Sequence, residues 1–157
     1  MKTKILSLFV AISMGFACTS VKDIATTKLN VETKINSDNY TISFNYVNPA
    51  RLRPHHLTSD YTLTIKGDTA IAYLPYFGVA HTAVYGSGEG GIRFTEKVNN
   101  FEEKRNRKND GWDITFDIKA EMQSYKMMLN IYDSGSSTLY VTPSNKDAIS
   151  YNGEMKF

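Results

Sequence analysis

The chain has 157 residues, 41% of them hydrophobic and 22% charged, with a formal net charge of +2. That length fits one domain with one core, and the composition is that of a folding chain. A single cysteine excludes an intrachain disulfide framework and any multi-cysteine metal site, and the small charge gives no electrostatic case for nucleic acid.

Lys2 and Lys4 precede the apolar stretch from Ile5 to Ala17, which closes on the small residues Gly15 and Ala17. A basic start, a short apolar run and small residues at its exit read as a secretory signal peptide over residues 1–17. The run is too short for an ordinary transmembrane helix. Cys18 follows directly, and Gly15-Phe16-Ala17-Cys18 resembles a bacterial lipobox, with Gly15 in place of the usual branched aliphatic residue and a bulky Phe16. In that resemblance the Cys18 thiol carries diacylglycerol. Two or more acyl chains, at about 0.8 kcal/mol per buried methylene, make a stable anchor. Ordinary signal peptidase would cut the same bond and leave a free thiol, an awkward group in an exported protein. Removing residues 1–17 leaves 16 basic side chains against 16 acidic ones, so the mature chain is formally neutral.

Residues 18–38 are polar and suggest a tether, the domain proper running over 39–157. Leu29, Val31, Thr33 and Ile35 would suit a strand, and Ile24, Val31 and Ile35 a loose helical face; periodicity leaves both open. Tyr40, Ile42, Phe44 and Tyr46 then alternate with polar residues, predicting a half-buried strand that Asn48-Pro49 stops. Tyr61, Leu63 and Ile65 give a second strand, Lys66-Gly67-Asp68-Thr69 a turn, and Ala70 to Leu74 a third strand, with Pro75 at its end. Gly91 to Val98 and Phe101 to Arg107 read as two further strands, and Asn109-Asp110-Gly111 as a turn. Trp112, Ile114, Phe116 and Ile118 alternate. Tyr125 to Tyr132 carries apolar residues on both faces, which predicts a doubly covered strand. Thr138 to Thr142 and Ala148 to Met155 complete the pattern. About eight short strands joined by Gly, Asn and Asp turns predict an all-β antiparallel sandwich or barrel.

The chemical motifs are sparse. Gly86 to Gly91 spells a glycine-rich fingerprint for dinucleotides, but a strand, not a helix, is expected after it. His55 and His56 are adjacent and so point to opposite sides of an extended segment; with His81 they complete the histidines, and no metal-ligand spacing joins them. Glu102 and Glu103 read as part of a charged edge beside Lys104 and Arg105. The basic run Lys104 to Lys108 sits at a hairpin tip without interleaved aromatics. No nucleophile elbow, catalytic dyad or cofactor motif is present, so the expectation is no enzyme, no cofactor and no nucleic-acid partner.

Tyr73-Leu74-Pro75-Tyr76-Phe77-Gly78 is dense in aromatics. Its rings either plug one end of the β domain or form a binding surface. With Leu57-Thr58-Ser59-Asp60-Tyr61, Gly67-Asp68, Tyr85-Gly86, Gly90-Gly91-Ile92 and Ile149-Ser150-Tyr151-Asn152-Gly153-Glu154, this string resembles the domain of unknown function 4251 family over about Asn39 to Met155. The resemblance implies a Bacteroidota origin, export, a small β-rich domain and a short helix before Tyr40. It implies no activity.

These observations lead us to expect a lipoprotein of the outer membrane, facing periplasm or cell surface, with a binding or structural role. The candidate ligand residues are Arg51, Arg53, His55, Tyr76, Phe77 and Tyr85, where cations meet rings in two loops. The expected partners are the membrane, through the lipid anchor at Cys18, and a small molecule, glycan or envelope protein. Two alternatives stand beside this: a carrier of a small hydrophobic or anionic ligand, and a hydrolase with an unrecognised site.

Overall fold

The computed structural model describes residues 20–79, 91–120 and 123–157. The signal segment, Cys18, His81, Tyr85 and most of the glycine run lie outside the described residues. The element order is α1 (Ser20–Asn36), β1 (Asn39–Pro49), β2 (His55–Lys66), β3 (Thr69–Pro75), β4 (Gly91–Arg105), β5 (Gly111–Ala120), β6 (Gln123–Tyr132), β7 (Ser136–Pro143) and β8 (Ile149–Met155). The strands form a closed barrel in which each is antiparallel to its sequence neighbours and β1 closes on β8. Closure leaves no free sheet edge, which is how a small antiparallel domain escapes edge-to-edge association.

Period-two alternation builds the core. Ile42, Phe44, Leu63, Ile65, Ile114, Phe116, Ile118, Leu139 and Val141 all point inward and join one buried cluster. Their alternate neighbours face solvent. A barrel of this strand number is just wide enough for side chains to fill.

The segment before β1 is helical. Val31 and Ile35, four residues apart on one face, are fully buried, whereas Ile24 and Leu29 are more than 60% exposed. The last turns of α1 therefore contribute to the buried core. Asp38 ends the helix in a left-handed conformation, φ 48°, with its amide on the Ile35 carbonyl at 2.9 Å. Lys28 reaches Asp133 in the β6–β7 turn at 2.9 Å, so the helix lies over the end of the barrel that holds the β2–β3, β4–β5 and β6–β7 turns. We call this the helix end, and the opposite one the loop end.

Three expectations are corrected. Gly91 to Arg105 is one strand, not two. Its register shifts between Asn99 and Glu102, where Asn100 takes φ 51°, and this bulge interrupts the alternation without breaking the strand. The β6 strand is covered on one face only: Tyr125, Met127, Leu129 and Ile131 are buried, while Met128 and Tyr132 are over 40% exposed. The acidic pair is not an edge device. Glu102 is exposed, but Glu103 is half-buried and its Oε2 is enclosed without a partner among the described residues.

The loop end as a candidate binding site

β2 begins at His55, earlier than its alternation suggests, because His55 and His56 pair with Val47 and Tyr46 of β1. The two imidazoles diverge. His56 meets Tyr46 edge-on at 4.8 Å, and His55 meets Phe77 edge-on at 4.6 Å. Among the described residues no group of three His, Cys, Asp or Glu side chains could hold a metal ion.

Asp147, in the β7–β8 loop, is the hub of the loop end. Its carboxylate pairs with the Arg51 Nε at 2.9 Å and accepts from the Val79 amide at 3.4 Å, while its carbonyl accepts from the Tyr76 hydroxyl at 3.0 Å. The Asp147 amide donates in turn to the Val79 carbonyl at 3.2 Å. Three loops, following β1, β3 and β7, are thereby strapped together. Lys146 lies over the Tyr76 ring at 5.0 Å, a cation–π contact.

Four of the candidate residues thus come together: Arg51, His55, Tyr76 and Phe77. Arg53 is exposed, and its carbonyl lies 3.1 Å from the His55 Nδ1. Tyr85 lies outside the described residues. The aromatic string divides its labour. Leu74 and Pro75 are buried, Tyr76 and Phe77 are half-buried against the core, and Tyr73 is 42% exposed.

Tyr73 stacks on Tyr61 at 5.4 Å, and Arg93 lies over its ring at 4.6 Å. The three planar groups run across β2, β3 and β4 beside a solvent-open groove of about 340 Å³ that Tyr76 and Phe77 also line. A larger groove, about 530 Å³, lies under the basic β4–β5 hairpin at the helix end, lined by Lys104 to Lys108 with Asp110, Asp113 and Tyr132. Its charges are mixed and it holds no aromatic cluster, so its size alone does not mark it as the site.

Inside the loop end three tyrosines bring their hydroxyls near one another. The Tyr151 Oη donates to the Pro75 carbonyl, and the Tyr125 Oη to the Gln123 Oε1 at 3.2 Å. Burial raises the pKa of Tyr76, Tyr125 and Tyr151, and the hydroxyls of Tyr76 and Tyr125 also act on that of Tyr151. The layer therefore stays neutral. The Gln123 Nε2 and Asn145 Oδ1 are enclosed without hydrogen-bond partners among the described residues. Of these inner residues only Tyr76 stood out in the sequence, since Tyr125 and Tyr151 read as strand aromatics.

The fold defines a class: a helix-capped, eight-stranded antiparallel barrel with its irregular loops gathered at one end. The sequence pattern of the domain of unknown function DUF4251 matches residues 22–155, and the chain belongs to that family. A crystal structure of a DUF4251 family protein from Bacteroides eggerthii DSM 20697 is similar, with a TM-score of 0.64 and 15% identity, over 83% of this chain and 87% of that one. At that identity the likeness shows the fold. No curated protein matches the chain.

Proposed function

We propose that this is an exported, lipid-anchored envelope protein whose loop end binds a ligand without catalysing a reaction. The anchor rests on residues 1–18: the basic start, the short apolar run and a cysteine at its exit. The binding role rests chiefly on one observation, the gathering of Arg51 from the β1–β2 loop, His55 from the start of β2, and Tyr76 and Phe77 from the segment after β3 at one end of a closed barrel. Barrel mouths are common ligand sites, because loops there vary while the strands hold them in place. The inward side chains pack in one apolar cluster, which favours a ligand held among the loops over one carried in the middle of the barrel.

The test is the intact mass of the protein taken from its native membrane, first under non-denaturing and then denaturing conditions. A denatured mass of residues 18–157 plus acyl chains supports the anchor; an unmodified mature mass overturns it. Extra mass that disappears on denaturation, and that the Arg53→Ala/Tyr76→Ala double variant fails to retain, supports the loop-end site. Retention by that variant of everything the parent carries overturns it.

A further inference from the structure

The helix that caps the barrel overhangs it. Ile24 shares one face of α1 with Val31 and Ile35, seven and eleven residues on, yet it is 66% exposed while they are fully buried. The first turns of α1 therefore run past the rim, beyond Lys28 and its Asp133 partner in the β6–β7 turn. From Lys28 back to Ser20 is eight residues, about 12 Å of helix. Cys18 is two residues further, at most about 7 Å beyond Ser20. A lipid on Cys18 is thus tethered to the helix end, a strand's length from the loop end.

The hairpin beside that tether carries cations with nothing to pair them. The Asp133 amide donates to the Asp110 carbonyl at 2.8 Å, so the β4–β5 tip adjoins the turn that Lys28 reaches. Arg105 is committed to Asp133 through two N–H···O bonds, at 2.8 and 3.2 Å. Lys104, Arg107 and Lys108 are exposed, and among the described residues none of them makes an ion pair. The carboxylates of Asp110 and Asp113 accept from the Asn106 and Asn130 amides, at 2.6 and 2.7 Å. They lower the local charge without holding any of the three cations. The solvent-open groove of about 530 Å³ under this tip gives an anionic group room to seat, and the exposed Tyr132 forms part of its wall. A tyrosine ring, apolar in its body and polar at its tip, suits a lipid–water boundary.

We propose that the helix end faces the membrane that holds Cys18, with Lys104, Arg107 and Lys108 seated on the phosphates of anionic lipid headgroups. This rests on the lipid anchor proposed above and names the surface that meets the bilayer. A lipid at one terminus alone leaves a domain free to tumble; a second contact beside the tether fixes its orientation. Cations next to a membrane are drawn to anionic lipids, and the attraction fades within a Debye length. The tether brings the hairpin to where that attraction acts. The same orientation turns the loop end, with Arg51, His55, Tyr76 and Phe77, away from the lipid and toward water.

The single cysteine allows the anchor to be made chemically. The mature chain is coupled through Cys18 to maleimide-phosphatidylethanolamine in two kinds of vesicle, one of phosphatidylcholine and one of phosphatidylcholine with phosphatidylglycerol. A water-soluble amine-acetylating reagent then labels the lysines, and peptide masses give the rate at each. Labelling of Lys104 and Lys108 should be about tenfold slower on the anionic vesicles, and raised salt should abolish the difference. Lys119, exposed near the loop-end terminus of β5, should label at one rate on both. Arg107→Gln should keep the parent's melting temperature and reduce the slowing at Lys104 and Lys108 to about threefold. Equal labelling of the hairpin on both vesicles overturns the proposal. So does slowing that Arg107→Gln leaves intact, which would come from nearness to a charged surface without contact, and so does slowing at Lys119 in place of the hairpin. Any of these, with acyl chains present on the native protein, overturns the orientation and leaves the anchor standing. An unmodified native mass overturns the anchor and the orientation with it, whatever the vesicles show.

Discussion

The Tyr151 hydroxyl, on β8, donates to the Pro75 carbonyl at the end of β3, joining two strands that β1 and β2 separate around the barrel. Tyr151 is fully buried and its ring lies 5.7 Å from that of Phe44. It therefore ties the aromatic string 73–77 to the closing strand through the interior. Tyr151→Phe keeps the ring and removes the bond, leaving the Pro75 carbonyl short of its donor. The expected cost is about 1–2 kcal/mol, read as a lower urea midpoint with an unchanged slope. A midpoint equal to that of the parent would mean the bond contributes nothing.

At the helix end, desolvation raises the pKa of Glu103, and the charge of Asp38 adds to the rise. The unfolded chain gives up this proton at lower pH than the folded one. The stabilisation is therefore complete below the ordinary carboxyl value, and it is lost as pH rises through the raised folded value. Above that value the folded protein must keep a poorly solvated carboxylate near Tyr40, whose own hydroxyl is buried without a partner among the described residues. Glu103→Gln keeps the neutral shape. Its melting temperature should exceed that of the parent at neutral pH, and the gap should close on acidification toward about pH 4. A gap independent of pH would remove Glu103 ionisation as its cause.

Asp133 has the opposite sign. Hydrogen bonds from Arg105, and then from Lys28, hold its carboxyl below the usual range against some desolvation. That stabilisation is present above the ordinary carboxyl value and is lost as pH falls through the lowered one. Because Lys28 is on α1 and Arg105 on β4, Asp133 ties the helix to the barrel. Asp133→Asn should cost about 1 kcal/mol at neutral pH, a value kept small by partial exposure, and should flatten the acid side of the stability profile. An acid limb as steep as the parent's would place the titrating group elsewhere.

The helix itself should be indispensable. Val31 and Ile35 are fully buried in the same cluster as Tyr40 and Phe44. Ile35→Ala should cost about 2–4 kcal/mol through lost transfer energy and the cavity left behind. A chain beginning at Asn39 should melt well below one beginning at Ser20, by calorimetry. Equal melting temperatures would return the whole segment before β1 to the role of tether.

How much of this is legible in the sequence depends on where alternation is pure. β1 and β5 can be read almost residue by residue, because Tyr40 to Phe44 and Ile114 to Ile118 place every second side chain inside. β4 cannot, because the bulge at Asn100 resets the parity and makes one strand look like two. Met128 and Tyr132 mislead differently: apolar side chains on the outside of a barrel carry the same letters as buried ones. α1 is ambiguous because its buried contribution is only Val31 and Ile35 among polar neighbours. The site divides along the same line. His55, Tyr76 and Phe77 stand out because they are aromatic and lie in or beside irregular segments. Gln123, Tyr125, Asn145 and Tyr151 lie on strands and a turn that the chain visits late, and the closure of β8 on β1 sets them beside the loops that follow β1 and β3.

The two arginines of the β1–β2 loop look equivalent in sequence and should behave differently. Arg51 is held by Asp147, which also accepts from the Val79 amide, so Arg51 acts through the loops it straps together. Its guanidinium is largely exposed, and Arg51→Ala should cost no more than about 1 kcal/mol of global stability. The local effect should be larger. With the strap gone, the Val79 amide should exchange with deuterium about tenfold faster, while amides in the middle of β5 and β6 keep their rates. Arg53 is exposed beside His55, and among the described residues its side chain makes no such strap. Arg53→Ala should leave stability and the exchange rate at Val79 unchanged. If the two variants instead give the same exchange pattern, the Arg51–Asp147 pair does not organise the loop end. The ordered rim on which the proposed ligand site depends would then need another cause.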